Sequence, residues 1–240
     1  MCGDKTMRNW QVDLFTGLER ATNMQDVLGT TLRTVRDFGF DYAGWRTELP
    51  LPISQKRTLA LNTSEDEVLQ KVSEGGYDDS LGVKHCSRSM EPFYYLGNTH
   101  DETFFKQPEL WEEYYGLGRY GGWAQSLIES KSMFSLFWVD TSSPITQRDI
   151  DNVYFQMEWV SIAVLSRMNK VGRDSDIQLS LREREVLRWT GDGKTADQIA
   201  EILMLSPSTI NFHLRKAMQK LDAPNKTAAV VRAIFLNLLF

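Results

Sequence analysis

Apolar residues recur along the chain in two rhythms. Near 8–22, 24–38, 65–74, 101–116 and 146–168 they return every three or four residues, the spacing of one helix face. In the last of these, Ile150, Val153, Tyr154, Met157, Val160, Ala163 and Val164 make the stripe. Near 41–48, 56–62, 122–129 and 132–139, β-branched and aromatic residues crowd into short runs. Two of these runs, "GGWAQSLI" and "SMFSLFWV", flank the turn "ESKS" as hairpin strands do. Ser64 with Glu67, and Thr146 with Asp149, supply capping-box-like starts for two helices. Helices on both sides of a run of strands predict an α/β/α sandwich around one antiparallel sheet.

Beyond residue 168 the strand rhythm stops. "MNKVGRDSDIQ" is polar and reads as a linker, placed at 169–178. After it every periodic segment is helical and its start is marked. Ser180 with Glu183, and Thr195 with Gln198, have capping-box spacing, so each side chain can satisfy an N–H left open by the first turn. Ser206 followed by Pro207 is an N-cap with proline at the first helical position. "GDGK" at 191–194 ends one helix, and "MLS" at 204–206 is a tight corner between 195–203 and 206–221, which makes a helix-turn-helix. The chain is therefore predicted as α+β, with a sandwich domain over 1–168 and an all-α domain over 179–240.

Length and composition agree with two ordinary domains: 240 residues, 42% hydrophobic and 25% charged. No run is apolar enough to span a membrane, and "MCGDKTMRNWQVDL" lacks the apolar core of an export signal. Two cysteines, Cys2 and Cys86, fit a reducing compartment, so the expected location is cytoplasmic. Charge changes the picture more. Residues 1–169 carry 16 basic against 24 acidic side chains, whereas 170–240 carry 11 against 8. Within "SPSTINFHLRKAMQKL", 206–221, there are Arg215, Lys216 and Lys220 and no acid. One-signed charge on an amphipathic helix suits a charged partner.

On that helix Ile210, Leu214, Ala217, Met218 and Leu221 share the inward face. Ser208, Arg215 and Gln219 point outward, flanked by Asn211 and Lys216. Paired hydrogen bonds suit Asn to adenine and Arg to guanine in a major groove. Lys194, Lys216, Lys220 and Lys226 are the candidates for phosphate, which gives affinity without sequence information. The partner expected from these residues is double-stranded DNA. "AAVVRAIFLNLLF", 228–240, is apolar on nearly every side, more than packing on one small domain needs, and predicts a second contact.

The stretch 179–235, with "REREVL", "W", "GKT", "IA-IL", "S-ST", "NFH" and "NKT" in order, closely resembles the DNA-binding domain of the LuxR-type quorum-sensing transcription factors. The family's hallmark Glu, Leu and Gly fall on Glu183, Leu187 and Gly193, and its base-contacting positions on Asn211 and Arg215. The resemblance implies a homodimer joined through the last helix and reading a palindromic operator. For such a regulator RNA polymerase is a further candidate partner, and a membrane is not.

The first domain is similar to the same family's signal-binding domain at "GFDYAGWR", "LWEEYYGLG" and "GGWAQSLI". The resemblance implies a pocket for an N-acyl homoserine lactone. Where the family carries a Trp and Tyr that donate to the lactone, this chain has Val68 and Val72, which cannot donate. The family's Asp-Pro falls on Ser80-Leu81, with Asp78 and Asp79 displaced, and its second Trp on Tyr95. A sheet glycine is kept as Gly122 and a pocket-facing hydroxyl as Ser135. Tyr114 and Arg119 fall where smaller or apolar residues are common and would fill part of the ligand's volume; if Arg119 instead points inward to Asp78 or Asp79, the site would suit a smaller polar signal. The expectation is an orphan regulator with weak or no dependence on a lactone. The alternatives are a protein that sequesters a related regulator as a heterodimer, or a regulator answering a non-lactone small molecule. His85 beside Cys86 has no further ligand at usable spacing, so no metal is expected. No phosphate-cradling motif occurs, and neither a cofactor nor an enzymatic activity is expected.

Overall fold

Alternation along β1 (Tyr42–Leu49), β4 (Gly122–Ser130) and β5 (Met133–Asp140) decides which layer each residue joins. Trp45, Trp123, Phe137 and Val139 face one side and pack on α1 (Trp10–Arg20), α2 (Met24–Arg36) and α7 (Gln147–Arg173) through Leu14, Leu28, Met157 and Val160. Ala124, Leu136 and Trp138 face the other side. There they meet α3 (Glu67–Ser73) and α6 (Pro108–Gly116) through Val68, Val72, Trp111 and Tyr114. β2 (Arg57–Asn62) and β3 (Phe93–Tyr95) complete a five-stranded antiparallel sheet of order β2-β1-β5-β4-β3. α4 (Leu81–Cys86) and α5 (Glu102–Lys106) lie between these elements in sequence. The result is the expected α/β/α sandwich, with a core on each face of the sheet. Every fully buried Leu, Val or Met contributes about 1.5–3 kcal/mol to it.

This computed structural model describes residues 9–49, 57–64, 67–130, 133–173, 177–236 and 238–239. The turn "ESKS" and the start of α3 at Ser64 fall partly outside them. The chain divides into two units, Met1–Gly172 and Arg173–Phe240. α7 runs to Arg173, so residues 169–173, read as the start of the linker, continue its helix. The helix expected over 101–116 is two, α5 and α6, broken at Gln107. Pro108 drives the preceding residue out of the helical region, and Gln107 has φ −146° and ψ 62°. The thiol of Cys86 is free and buried, and burial pushes its pKa up to about 12.

The second unit holds α8 (Leu181–Gly191), α9 (Ala196–Leu203), α10 (Pro207–Lys220) and α11 (Lys226–Phe235) around Val186, Leu187, Ile199, Ile210, Leu214, Ala217 and Ala233. Both capping boxes form. Ser180 N–H donates to Glu183 Oε2 at 2.7 Å, and Glu183 N–H donates to Ser180 Oγ at 3.3 Å. Thr195 and Gln198 exchange the same pair at 3.0 and 3.3 Å. The Ser206 hydroxyl accepts from Thr209 N–H, starting α10 with Pro207 at its first position. No described helix is long and apolar enough to cross a membrane.

Candidate functional site

Three features fix α10 in place. Its start is capped by Ser206, its inner face is buried through Ile210, Leu214 and Ala217, and the preceding corner is closed by Met204. Met204 takes the left-handed conformation, φ 54° and ψ 47°, and so turns α9 sharply into α10. The opposite face of α10 presents Ser208, Asn211, Arg215, Lys216 and Gln219, all exposed. Lys194 and Lys226 are exposed too, Lys194 just before α9 and Lys226 at the first residue of α11. Lys216 Nζ sits 6.0 Å from the Phe212 ring centroid, the outer limit of a cation–π contact, and keeps its charge at the surface.

Lys220, expected as a phosphate contact, is engaged within its own unit. Its ammonium donates to Glu183 Oε2 at 2.8 Å and to the Gln178 carbonyl at 2.9 Å, which ties the end of α10 to the cap of α8. The Glu183 side chain is buried. Desolvation, the largest influence, pushes its pKa up, but the Lys220 hydrogen bond and the Ser180 N–H together hold it below the ordinary glutamate value. Leu187 is fully buried beneath this cap. Gly193 has φ +80° with open space where a Cβ would stand, so the turn demands the dihedral and not the room.

The apolar surplus at the C-terminus is largely absorbed within this unit. After α11 the chain turns back, Leu238 N–H donating to the Ala233 carbonyl, and Leu239 enters the core. Ile234 remains half exposed. A larger apolar stripe, which the sequence reading missed, lies on α7. Phe155, Trp159 and Ile162, four and three residues apart, are 74%, 65% and 57% exposed. The reading had followed the buried stripe of that helix and left this second one unnoticed.

In the first unit a cavity of about 90 Å³ lies between the sheet and the helices α3, α4 and α6. Val72, Ser80, Tyr95 and Tyr114, four of the pocket candidates, line it. Val68 is buried in the same cluster without reaching the cavity wall. The Ser80 hydroxyl caps α4 by accepting from Val83 N–H at 3.2 Å. Ser135 is misplaced by the sequence reading. Strand parity puts Leu136 and Trp138 on the cavity, and sends the Ser135 hydroxyl to the other face, 3.1 Å from Thr47 Oγ1 and 3.2 Å from Asn169 Oδ1.

Arg119 finds neither Asp78 nor Asp79. Its guanidinium stacks 3.3 Å from the Tyr42 ring centroid, hydrogen-bonds the Ser64 hydroxyl and lies 3.7 Å from Asp140 Oδ2. Asp140, fully buried at the end of β5, also accepts from the Tyr95 hydroxyl and, at 2.9 Å, from the Tyr114 hydroxyl. Burial first, and then the Asp140 charge, push both phenol pKa values well up, so both stay protonated donors. Gly122 makes room for this cluster, since a Cβ there would come within 2.5 Å of the Val139 carbonyl and collide with Tyr95. Asp78 pairs instead with Arg46, an arginine the sequence reading did not single out. Arg46 Nη1 is 2.7 Å from Asp78 Oδ1, and Arg46 lines the cavity with a side chain only 2% exposed. Its signal was a lone cation in the alternating strand 41–48, on the same face as Gly44.

Comparison with known proteins fits both units. Residues 177–233 match the family GerE, bacterial regulatory proteins of the luxR family. The chain is 31% identical to the transcriptional activator protein AnoR of Acinetobacter nosocomialis, over 97% of this chain and all of that one. It is 28% identical to the transcriptional activator protein SolR of Ralstonia nicotianae, over 95% and 98%. The crystal structure of Escherichia coli SdiA superposes with a TM-score of 0.74 at 22% identity, over 96% of this chain and 98% of that one. A helix-turn-helix with an exposed basic face, joined to an α/β/α unit with a cavity, and a relative alike from end to end lead to one identity: the chain belongs to the LuxR family of DNA-binding transcriptional regulators.

Proposed function

We propose that this regulator binds a palindromic operator as a homodimer and does so with weak or no dependence on an N-acyl homoserine lactone. The exposed, acid-free face of α10 carries the reading. Asn211 and Arg215 lie four residues apart, one turn of the same face, and each can pair bidentately with a base edge. Ser208 extends that face, and Lys194, Lys216 and Lys226 flank it as phosphate contacts. The basic residues that a mere sequestering partner could dispense with are all in place. The Phe155, Trp159 and Ile162 stripe supports self-association, as apolar patches of this kind on soluble proteins mark interfaces.

Lactone independence is supported by the cavity. Val68 and Val72 offer no donor, and the Tyr95 and Tyr114 hydroxyls are both held by Asp140. The volume of about 90 Å³ leaves little room for a long acyl chain. A second reading, a regulator answering a non-lactone small molecule, is favoured by the buried Arg46 guanidinium on the cavity wall. RNA polymerase stays a candidate partner of the DNA-bound form.

Fluorescence anisotropy on protein made without lactone tests the central claim, after an operator is selected from random duplexes. Wild type should prefer the selected duplex over a scrambled one. Arg215→Ala should lose about 1–3 kcal/mol and relax one base pair per half-site. Lys216→Ala should weaken all duplexes alike and reduce the salt slope by about one. Equal affinity of wild type for both duplexes, or binding only after lactone is added, overturns the proposal.

A further inference from the structure

Arg46 is the feature that the inherited fold does not require. It sits in the middle of β1, paired in register with Ala60 of β2 and Leu136 of β5, where an apolar side chain would complete the layer. The chain instead buries a guanidinium there. Arg46 Nη2 donates to Thr58 Oγ1 at a long 3.3 Å, Glu48 is 3.9 Å away, and Nη1 faces Asp78. Among the described residues neither Nε nor Nη1 makes a hydrogen bond, the Asp78 contact being one of charge. A buried N–H without an acceptor is destabilising, and Arg46 lines the cavity, so a carboxylate bound there would give the guanidinium an acceptor once the side chain turns towards it. Asp78 does not remove the need. Its side chain is 51% exposed, so water screens its hold on the arginine.

The rest of the wall defines the body of the ligand. Phe93, Tyr95, Trp111 and Trp138 surround the space with ring faces and edges, and Val72 and Leu136 close it. Tyr95 and Trp111 lie with centroids 4.6 Å apart. Such walls take a planar apolar group, and the small volume leaves no room for a long chain. At one end a guanidinium offers the planar fork that matches a carboxylate.

We propose that this cavity binds a compact aromatic carboxylic acid, its ring among Trp111, Tyr95 and Trp138 and its carboxylate on Arg46. The inference rests on reading residues 1–172 as the sensor of a DNA-binding regulator. It adds to that reading the chemical class of the effector. A neutral lactone offers the guanidinium no charged acceptor, whereas an acid supplies one and competes for the arginine with the half-exposed Asp78.

The test uses the full chain and four probes: phenylacetate, indole-3-acetate and the two corresponding neutral amides. Tryptophan fluorescence and the thermal midpoint are read against concentration. Both acids should quench and stabilise, with each amide weaker by about tenfold or more, the factor a charge-assisted hydrogen bond supplies. Arg46→Gln should abolish the preference for acid over amide. Asp78→Asn, at a half-exposed site, should tighten acid binding by removing the competing carboxylate, and it keeps the test open should Arg46→Gln fail to fold. Equal binding of acids and amides, no binding of either acid, or an acid preference that survives in Arg46→Gln overturns the inference. Duplex binding is measured on the same preparations. Duplex binding without acid binding overturns the effector class alone, and acid binding without duplex binding overturns the regulatory reading alone.

Discussion

The two units build their sites in opposite ways. The α10 face is assembled from residues within one short stretch, and the helix that carries it is fixed by caps whose partners lie three residues apart. The polar groups in and beside the cavity, Arg46, Asp78, Tyr95, Tyr114, Arg119 and Asp140, come from three strands, helix α6 and two loops across almost a hundred residues. A surface that reads DNA needs exposed side chains on a rigid rod, and local rules suffice to make one. A pocket needs buried polar groups, and each must find its partner through the tertiary fold or be costly to bury. A local site tolerates the loss of one member, whereas a buried network does not.

The largest expected effect tests that difference directly. Asp140→Ala removes the acceptor of two buried phenols and an anion 3.7 Å from the buried Arg119 guanidinium. Breaking a buried ion pair from one side costs about 3–5 kcal/mol, since the other charge stays behind. Urea unfolding should show the sandwich unit destabilised by that order, with hydrogen exchange in α8 to α11 unchanged. A cost within about 1 kcal/mol would mean that the cluster is less interdependent than its geometry implies.

The same contrast governs how much the sequence disclosed. Ser180 and Glu183, Thr195 and Gln198, and Ser206 with Pro207 were legible because capping is an i, i+3 relation. The helices and four of the five strands of the sandwich were legible where periodicity had room to repeat. α4, six residues long, and β3, three residues long, are too short to show a period. The break at Gln107 was hidden because the apolar spacing continues across Pro108. Ser135 was placed by family position when its odd parity beside Leu136 and Trp138 already sends it away from the cavity. Lys220 looks like any other basic residue of α10 until the fold brings Glu183, 37 residues earlier, beneath it. Arg46 was visible as a cation in a strand, but nothing local says that it is buried.

A smaller effect separates backbone demands from packing demands. Gly193→Ala meets no neighbour, so its cost is the left-handed dihedral alone, roughly 1–2 kcal/mol. Gly193→Asn should cost less, because Asn tolerates that region. Gly122→Ala is a packing problem, and no change of residue type short of glycine should relieve it. Stability measured by denaturant for the three variants sharpens the comparison. Equal losses for Gly193→Ala and Gly193→Asn would show that contacts, and not the dihedral, set the first turn.

The smallest effect concerns the cap beneath α10. Ser180→Ala removes one hydroxyl acceptor and should destabilise the second unit by about 1 kcal/mol. The Glu183 half of the same box adds a pH dependence whose sign is fixed. Its carboxyl is held below the ordinary glutamate value, so the folded state binds that proton less readily than the unfolded chain does. The stabilisation is therefore fully present above the unfolded value and is lost as pH falls through the folded one. On acidification, amide exchange in α8 and at the end of α10 should rise in wild type, as the Lys220 contact fails along with the cap. Glu183→Gln should remove that increment while leaving the general acid sensitivity of the chain. Because Lys220 is held by Glu183, Lys220→Ala should reproduce the loss of protection at neutral pH and leave the salt slope of duplex binding unchanged, in contrast to Lys216→Ala. A Lys220→Ala protein with native exchange and a reduced salt slope would return that lysine to the DNA surface. The boundary between the structural and the reading face of α10 would then lie one turn nearer its C-terminus.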